Sequence, residues 1–271
     1  MTGPMLELDR VSMHFPVKSE RLFGGTMGTV KAVDEVSFQM QPGETLALVG
    51  ESGCGKTTTA RLILELLEPT AGRVLVDGTD IATLKGKALR RFRTKVQAVF
   101  QDPWASLNPR MAVRDIIAEP VSALDVSIRS QIMNLFKDLQ AQFDVGYVLV
   151  AHDLGTTRYM ADWIAVMYLG RVVELAPSET LFEAPKHPYT EALLSAALPS
   201  HPGADHRAIV LAGEVPSPID PPAGCGFNPR CHREVGAVCE PTMPPFRPLT
   251  DPIHEIACHI YTDEQERERA A

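Results

Sequence analysis

Aromatic residues are scarce in this chain of 271 residues, at 6% of the total with two tryptophans. No apolar run approaches the ~20 residues that a membrane-spanning helix needs, so any role at a membrane must be exerted through a partner. Positive charge is also in short supply, with 26 basic against 34 acidic residues and a net charge of -8. That balance argues against a broad nucleic-acid surface, which requires clustered lysine and arginine, and leaves room for a local basic patch alone. The amino terminus, Met1-Thr2-Gly3-Pro4-Met5-Leu6-Glu7, has neither the basic start nor the apolar core of a secretion signal. A cytoplasmic setting is expected. Cysteine is nearly missing from the first three quarters, where Cys54 stands alone, while Cys225, Cys231, Cys239 and Cys258 crowd the last quarter. In a cytosolic protein such a group points to metal ligation rather than to disulfides. What remains is 45% hydrophobic, ordinary for a globular chain and enough for one large domain with an appendage.

One stretch organises the rest. Gly50-Glu51-Ser52-Gly53-Cys54-Gly55-Lys56-Thr57-Thr58 fits G-x-x-x-x-G-K-[ST], the phosphate-binding P-loop. An apolar strand candidate, Thr45 to Val49, precedes it, and a helical pattern from Thr58 to Leu67 follows. Glycines at 50, 53 and 55 let the backbone curl around an anion where side chains would clash. The exposed amides and the positive end of the helix dipole attract phosphate. Lys56 would place its ammonium on the β- and γ-phosphates, and Thr57 would offer its hydroxyl to Mg²⁺. Cys54 reads as a small residue filling the loop.

Along the chain, Leu6 to Val11 alternates apolar and polar residues and predicts an edge strand. Val30 to Met40, Arg73 to Val76 and Val96 to Gln101 predict further strands, and Lys85 to Lys95 predicts a helix. From Val126 to Phe143 the apolar residues Ile128, Ile132, Leu135, Phe136, Leu139 and Phe143 recur at helical spacing, which predicts one inward face. Tyr147 to Ala151, Trp163 to Met167 and Arg171 to Leu175 complete the strands. Strands alternating with helices predict an α/β fold with a largely parallel core. Beyond Pro185 prolines become frequent, only His187 to Leu198 looks helical, and Pro199 to Cys258 reads as irregular.

These residues together resemble the ATP-binding subunits of ABC transporters, and more narrowly the oligopeptide/dipeptide importer branch. The resemblance covers nearly the whole chain. It rests on the P-loop, on Phe100-Gln101-Asp102-Pro103-Trp104-Ala105-Ser106-Leu107-Asn108-Pro109-Arg110, and on Glu119-Pro120-Val121-Ser122-Ala123-Leu124-Asp125. It rests further on Ala151-His152-Asp153, on His187-Pro188-Tyr189-Thr190 and on the terminal cysteines. The implied fold is a P-loop NTPase core of ABC-ATPase type over residues 1–184, followed by a peptide-importer-type extension with a cysteine cluster over 185–271. The implied activity is ATP hydrolysis that drives peptide uptake. The implied partners are a homologous ATPase subunit in a homo- or heterodimer, transmembrane permease subunits and, indirectly, a peptide-binding protein. The chain would lie on the inner face of the membrane. At matching positions the resemblance implies that Phe15 stacks on adenine and that Gln101 senses Mg²⁺ and the permease. It implies that Glu119 activates water, that Asp125 lies in the loop at the dimer interface, and that His152 contacts the γ-phosphate.

The chain also departs from that pattern. Family members carry a helical subdomain with a Leu-Ser-Gly-Gly-Gln signature, whereas here Gln101 and Glu119 lie only 18 positions apart and no Ser-Gly-Gly-Gln occurs. An internal deletion with its junction near 111–121 accounts for both. The family's catalytic strand ends Asp-Glu-Pro, with the Asp organising Mg²⁺. This chain has Ala118-Glu119-Pro120, so that carboxylate is missing. Two states follow for Met111 to Ala118, a replacement strand in the sheet or the stub of a helix. Three readings also follow, a working ATPase, a nucleotide-binding subunit deficient in hydrolysis, or a metal-stapled defective fragment with no transport role. The four late cysteines have the count for a tetrahedral thiolate site, which zinc and a [4Fe-4S] cluster both satisfy. The resemblance favours iron-sulfur.

Overall fold

The apolar runs and alternating segments become strands of two sheets in a computed structural model, which describes residues 3–18, 26–99, 115–118, 126–151, 153–197, 208–233, 236–249 and 253–261. The central strand is β3 (Thr45–Val49), buried at all five positions, as a parallel strand covered on both faces must be. Helix α1 (Lys56–Ile63) follows the glycine turn. Strands β8 (Tyr147–Val150) and β9 (Trp163–Tyr168) flank β3 in parallel, with Leu46 opposite Val148 on one side and Trp163 on the other. Strand β10 (Arg171–Pro177) returns antiparallel to β9.

A four-stranded antiparallel sheet covers one face. It runs β2-β1-β4-β5, from β1 (Leu6–Lys18), β2 (Thr26–Met40), β4 (Ala71–Val76) and β5 (Thr79–Asp80). Leu6, Leu8, Val36 and Phe38 pack there against Leu46, Leu48, Leu62 and Ile63. The opposite face of β3, Ala47 and Val49, joins Phe136, Tyr147, Ile164, Val166, Leu181, Tyr189 and Phe227 in a second core. The predicted edge strand is therefore corrected, because β1 lies between β2 and β4. Its alternation reported a strand with one buried face, which an interior antiparallel strand shares with an edge.

The junction segment resolves in favour of the sheet. Asp115–Ala118 forms β7, parallel to both β6 (Val96–Val99) and β8, with Ala118 opposite Val99 and Leu149. Four residues thus fill a position that would otherwise leave two strands unpaired. Helix α2 (Gly86–Lys95) leads into β6. The predicted helix appears as α3 (Val126–Phe143). Its Phe136 is buried against Tyr147, while Leu135 and Phe143 are about half exposed. The inward face is thus narrower than the spacing implied.

The late segment is less irregular than its composition. Helix α4 (Leu154–Met160) and α5 (Ser178–Glu183) precede α6 (Pro188–Ala197), and two short strands, β11 (Arg247–Pro248) and β12 (Glu255–Ile256), extend the main sheet beyond β10. The fastening point is Glu174 of β10, fully buried. Its carboxylate accepts the backbone N–H of Lys186 at 2.7 Å and of His187 at 3.0 Å, and His254 Nε2 lies 2.6 Å from it. A buried carboxylate survives only with such donors.

His187 is itself buried, and its Nδ1 accepts the Tyr189 N–H at 3.0 Å. Burial pushes its pKa from 6.5 down to about 4, against the opposing influence of the Glu174 charge. Because the folded value lies below the unfolded one, the unfolded chain takes up the proton first. Stability is therefore full above pH 6.5 and falls as pH drops from 6.5 towards 4. By about pH 5 the expected loss is ~2 kcal/mol. Urea midpoints for wild type and His187→Asn between about pH 7 and pH 5 check this, with the variant expected to show the flatter dependence.

Candidate functional site

At the carboxyl end of β3 the chain must turn sharply without a side chain. Gly50 has φ +145°, and a Cβ there would sit 2.3 Å from the Met167 carbonyl oxygen. Gly55 has φ +112°, with the Ala32 oxygen 2.4 Å from a would-be Cβ. Only glycine tolerates both the dihedral and the approach. Gly55 caps α1 with no side-chain acceptor, so the first-turn amides keep their capacity for an anion. The loop is held from behind, since the Gly170 N–H donates to the Cys54 carbonyl at 2.9 Å and the Asp34 N–H to the Gly170 carbonyl at 2.8 Å.

Lys56 is 4% exposed. Its Nζ donates to the carbonyls of Gly50 at 2.7 Å and Glu51 at 2.9 Å, with Cys54 Sγ at 3.5 Å. The ammonium therefore closes over its own loop. Burial raises the Cys54 thiol pKa, and the Lys56 charge opposes that. A buried protonated thiol is inert, which suits the space-filling role expected of it. Ser52, Gly53 and Thr57 are exposed and Thr58 is half-buried, so the rim of the loop is open to a ligand.

Glu51 is gripped by the late segment. Its N–H donates to Tyr189 Oη at 2.7 Å, and its carboxylate takes a two-pronged contact from Arg230, at 2.8 and 3.1 Å. Arg230 Nη1 also reaches Tyr168 Oη at 3.3 Å. Tyr168, Tyr189 and Phe227 pack around this contact with ring centroids 4.7 to 5.4 Å apart. Sequence reasoning missed both Tyr189 and Arg230 as partners of the loop. The available signals were Tyr189 in His187-Pro188-Tyr189-Thr190 and Arg230 beside Cys231, and neither names Glu51 as the contact.

Phe15 lies on β1 opposite Val30, half-buried and outside both core clusters. Gln101, Glu119, Asp125 and His152 fall outside the described residues. Their neighbours are informative. Strands β6, β7 and β8 run parallel to β3, so Val99, Ala118 and Val150 end at the edge of the sheet where Val49 gives way to Gly50. In open α/β sheets that edge is where ligands bind.

The four late cysteines share one lobe. The Cys225 N–H donates to the Cys239 carbonyl at 2.9 Å, and the Cys231 N–H to that of Asn228 at 3.1 Å. Burial pushes the Cys258 thiol up to about 12, with Cys225, Cys231 and Cys239 adding to the rise. None of the chain's cysteines is in a disulfide. Four thiols outside any disulfide match the ligand count of a tetrahedral thiolate site. Among the described residues, however, no three histidine, cysteine or carboxylate side chains are gathered at ligating geometry.

The geometry around Gly50 makes a direct prediction. Gly50→Ala should cost about 3 kcal/mol of stability, through both the dihedral and the Met167 clash. Gly53→Ala has φ +80° but nothing within 4 Å, and should cost about 1 kcal/mol. Equal shifts in the urea midpoint for the two variants would contradict this account.

Comparisons with known proteins agree with the geometry. A family model described as ABC transporter matches residues 33–157, and one described as oligopeptide/dipeptide transporter, C-terminal region, matches residues 173–239. A probable peptide ABC transporter ATP-binding protein of Sinorhizobium fredii is 39% identical over 323 aligned positions, covering 96% of this chain and 91% of that protein. The oligopeptide transport ATP-binding protein AppF of Bacillus subtilis is 38% identical over 324 positions, covering 95% and 98%. Both alignments are longer than the 271 residues present here, so the relatives hold an internal stretch that this chain lacks. Among solved structures, cbiO1 from Clostridium perfringens, part of the ABC transporter complex cbiONQ, has the same fold at a TM-score of 0.55 and 18% identity, covering 67% of this chain and 92% of that one. A dimeric ATP-binding cassette bound to ADP and Pi gives a TM-score of 0.53 at 20% identity, covering 64% and 99%.

Proposed function

The chain belongs to the ATP-binding subunits of peptide ABC transporters, and on that premise we propose that it binds and hydrolyses ATP to energise import of oligopeptides or dipeptides through a membrane permease. The carrying observation is the open P-loop at the carboxyl edge of a parallel sheet, with the Lys56 ammonium directed into it. On binding, Lys56 exchanges two loop carbonyls for β- and γ-phosphate oxygens, while the first-turn amides of α1 take the remaining charge. Phe15, half-buried and free of the cores, stacks on adenine. Thr57 and Gln101 would hold Mg²⁺, which would offset negative charge on the phosphates. Water attacks the γ-phosphorus in line, Glu119 takes its proton, the bond to the β-phosphate oxygen breaks, and His152 steadies the γ-phosphate.

Ala118 bears on the rate. It occupies the strand end where the family places an Asp, and its backbone pairs with Val99 and Leu149. Binding is therefore retained while turnover is low. Asp125 and a homologous subunit complete the assembly, as a homo- or heterodimer seated on the permease and served by a peptide-binding protein. Among the described residues no helix is long and apolar enough to cross a membrane, in keeping with a subunit held peripherally at the inner face. Cys225, Cys231, Cys239 and Cys258 would be the ligands of an iron-sulfur cluster, which would staple the extension once these side chains are drawn together. The support for this is four thiols in one lobe without disulfides.

Calorimetric titration with Mg-ATP tests the reading. Wild type should saturate, Lys56→Ala should bind at least about tenfold more weakly, and Glu119→Gln should bind normally but lose turnover. Ala118→Asp should raise turnover. Absence of saturable binding in the wild type would overturn the assignment for this chain. For the cysteines, anaerobic reconstitution should give broad visible absorbance that Cys231→Ser removes, and stoichiometric zinc without colour would refute the iron-sulfur choice.

A further inference from the structure

Glu51 places a carboxylate one residue after the first glycine of the phosphate loop. Left unpaired there, it would repel a triphosphate. It is not left unpaired. Arg230, from the three-residue turn Asn228–Arg230 between Cys225 and Cys231, grips both carboxylate oxygens at 2.8 and 3.1 Å. The Arg230 side chain is 9% exposed and that of Glu51 30%, so solvent screens the pair only weakly. The fork geometry matches two oxygens at once, which a lysine could not do.

The arginine is itself located by its surroundings. Its N–H donates to the Phe227 carbonyl at 3.0 Å, its Nη1 reaches Tyr168 Oη, and Phe227, 1% exposed, packs on Tyr168 and Tyr189. Glu51 is thereby held at three points, its amide by Tyr189, its carboxylate by Arg230 and its carbonyl by Lys56. When Lys56 turns to phosphate, the carbonyl contact is given up. The two contacts from the late segment remain and keep the loop in shape.

We propose that Arg230 is a positioning residue for nucleotide binding: it neutralises Glu51 at the mouth of the phosphate loop, so that the cysteine-bearing lobe sets the affinity for ATP. This rests on the ATP-binding reading above, and it requires no metal in the lobe. A role for Arg230 exercised through its contacts with Tyr168 or the Phe227 carbonyl would be indifferent to whether residue 51 carries charge. The positioning role is not.

The test is a double-mutant cycle read as Kd for Mg-ATP by calorimetry, on full-length protein. Arg230→Gln should raise Kd about tenfold, a change worth about 1.4 kcal/mol. Glu51→Gln should lose less affinity than Arg230→Gln, because it removes the repelling charge together with the group that Arg230 neutralises. Glu51→Gln with Arg230→Gln should match Glu51→Gln alone, because nothing is left to neutralise. Equal losses from Arg230→Gln in both backgrounds, or no loss in either, would overturn the proposal. Should the single Arg230→Gln variant not fold, the comparison of Glu51→Gln with the double variant still decides, since a weaker double variant contradicts neutralisation. A wild type that binds no Mg-ATP at all defeats the ATP reading itself, whereas a wild type that binds with no sensitivity to Arg230 defeats this inference alone.

Discussion

Everything in this chain depends on a backbone that must approach other backbone more closely than any side chain allows. Gly50 and Gly55 lie against the carbonyls of Met167 and Ala32 at distances a Cβ would violate. That contact joins the end of β3 to the β9–β10 hairpin and to β2 at once. The turn that presents amides to phosphate is thus also the point where both sheets meet. Its polar interior is satisfied by Lys56, whose buried ammonium would otherwise carry a large desolvation cost. Binding at such a site is an exchange of hydrogen-bond partners, with the helix dipole and phosphate charge providing the bias.

The second constraint is the completeness of the parallel sheet. The residues missing from the internal stretch would have removed a strand between β6 and β8 had Asp115–Ala118 not taken that place. Ile116 and Ile117 are strand formers whatever their ancestry, so the register closes with four residues. The repair restores backbone pairing on both sides of the strand that ends at Ala118.

What could be read from the sequence was what is local. The glycine turn, the lysine within it and the helix from 126 to 143 are specified by contiguous residues, and each appears where its pattern lies. What could not be read was long-range. The alternation of β1 defined a buried face but not its two neighbours. The exposure of Leu135 and Phe143 depends on what covers α3, which helical spacing does not encode. The grip of Arg230 on Glu51 joins residues 179 positions apart, and a single arginine among prolines and cysteines carries no periodicity. Glu174 is similar, as an acidic residue in an apolar strand that makes sense only once Lys186, His187 and His254 are seen to fold onto it.

Strands β11 and β12 were described as additions to the main sheet, and they also govern colloidal behaviour. Without them β10 would present the open edge of a seven-residue strand, a template for pairing with another molecule. Strand β12 covers part of that edge, and β11 ends the sheet with Arg247 and Pro248. Proline offers no N–H to a newcomer, arginine carries charge, and two residues give almost no ladder to extend. The late segment thus leaves that side of the sheet with a blunt rim, one that discourages edge-to-edge aggregation.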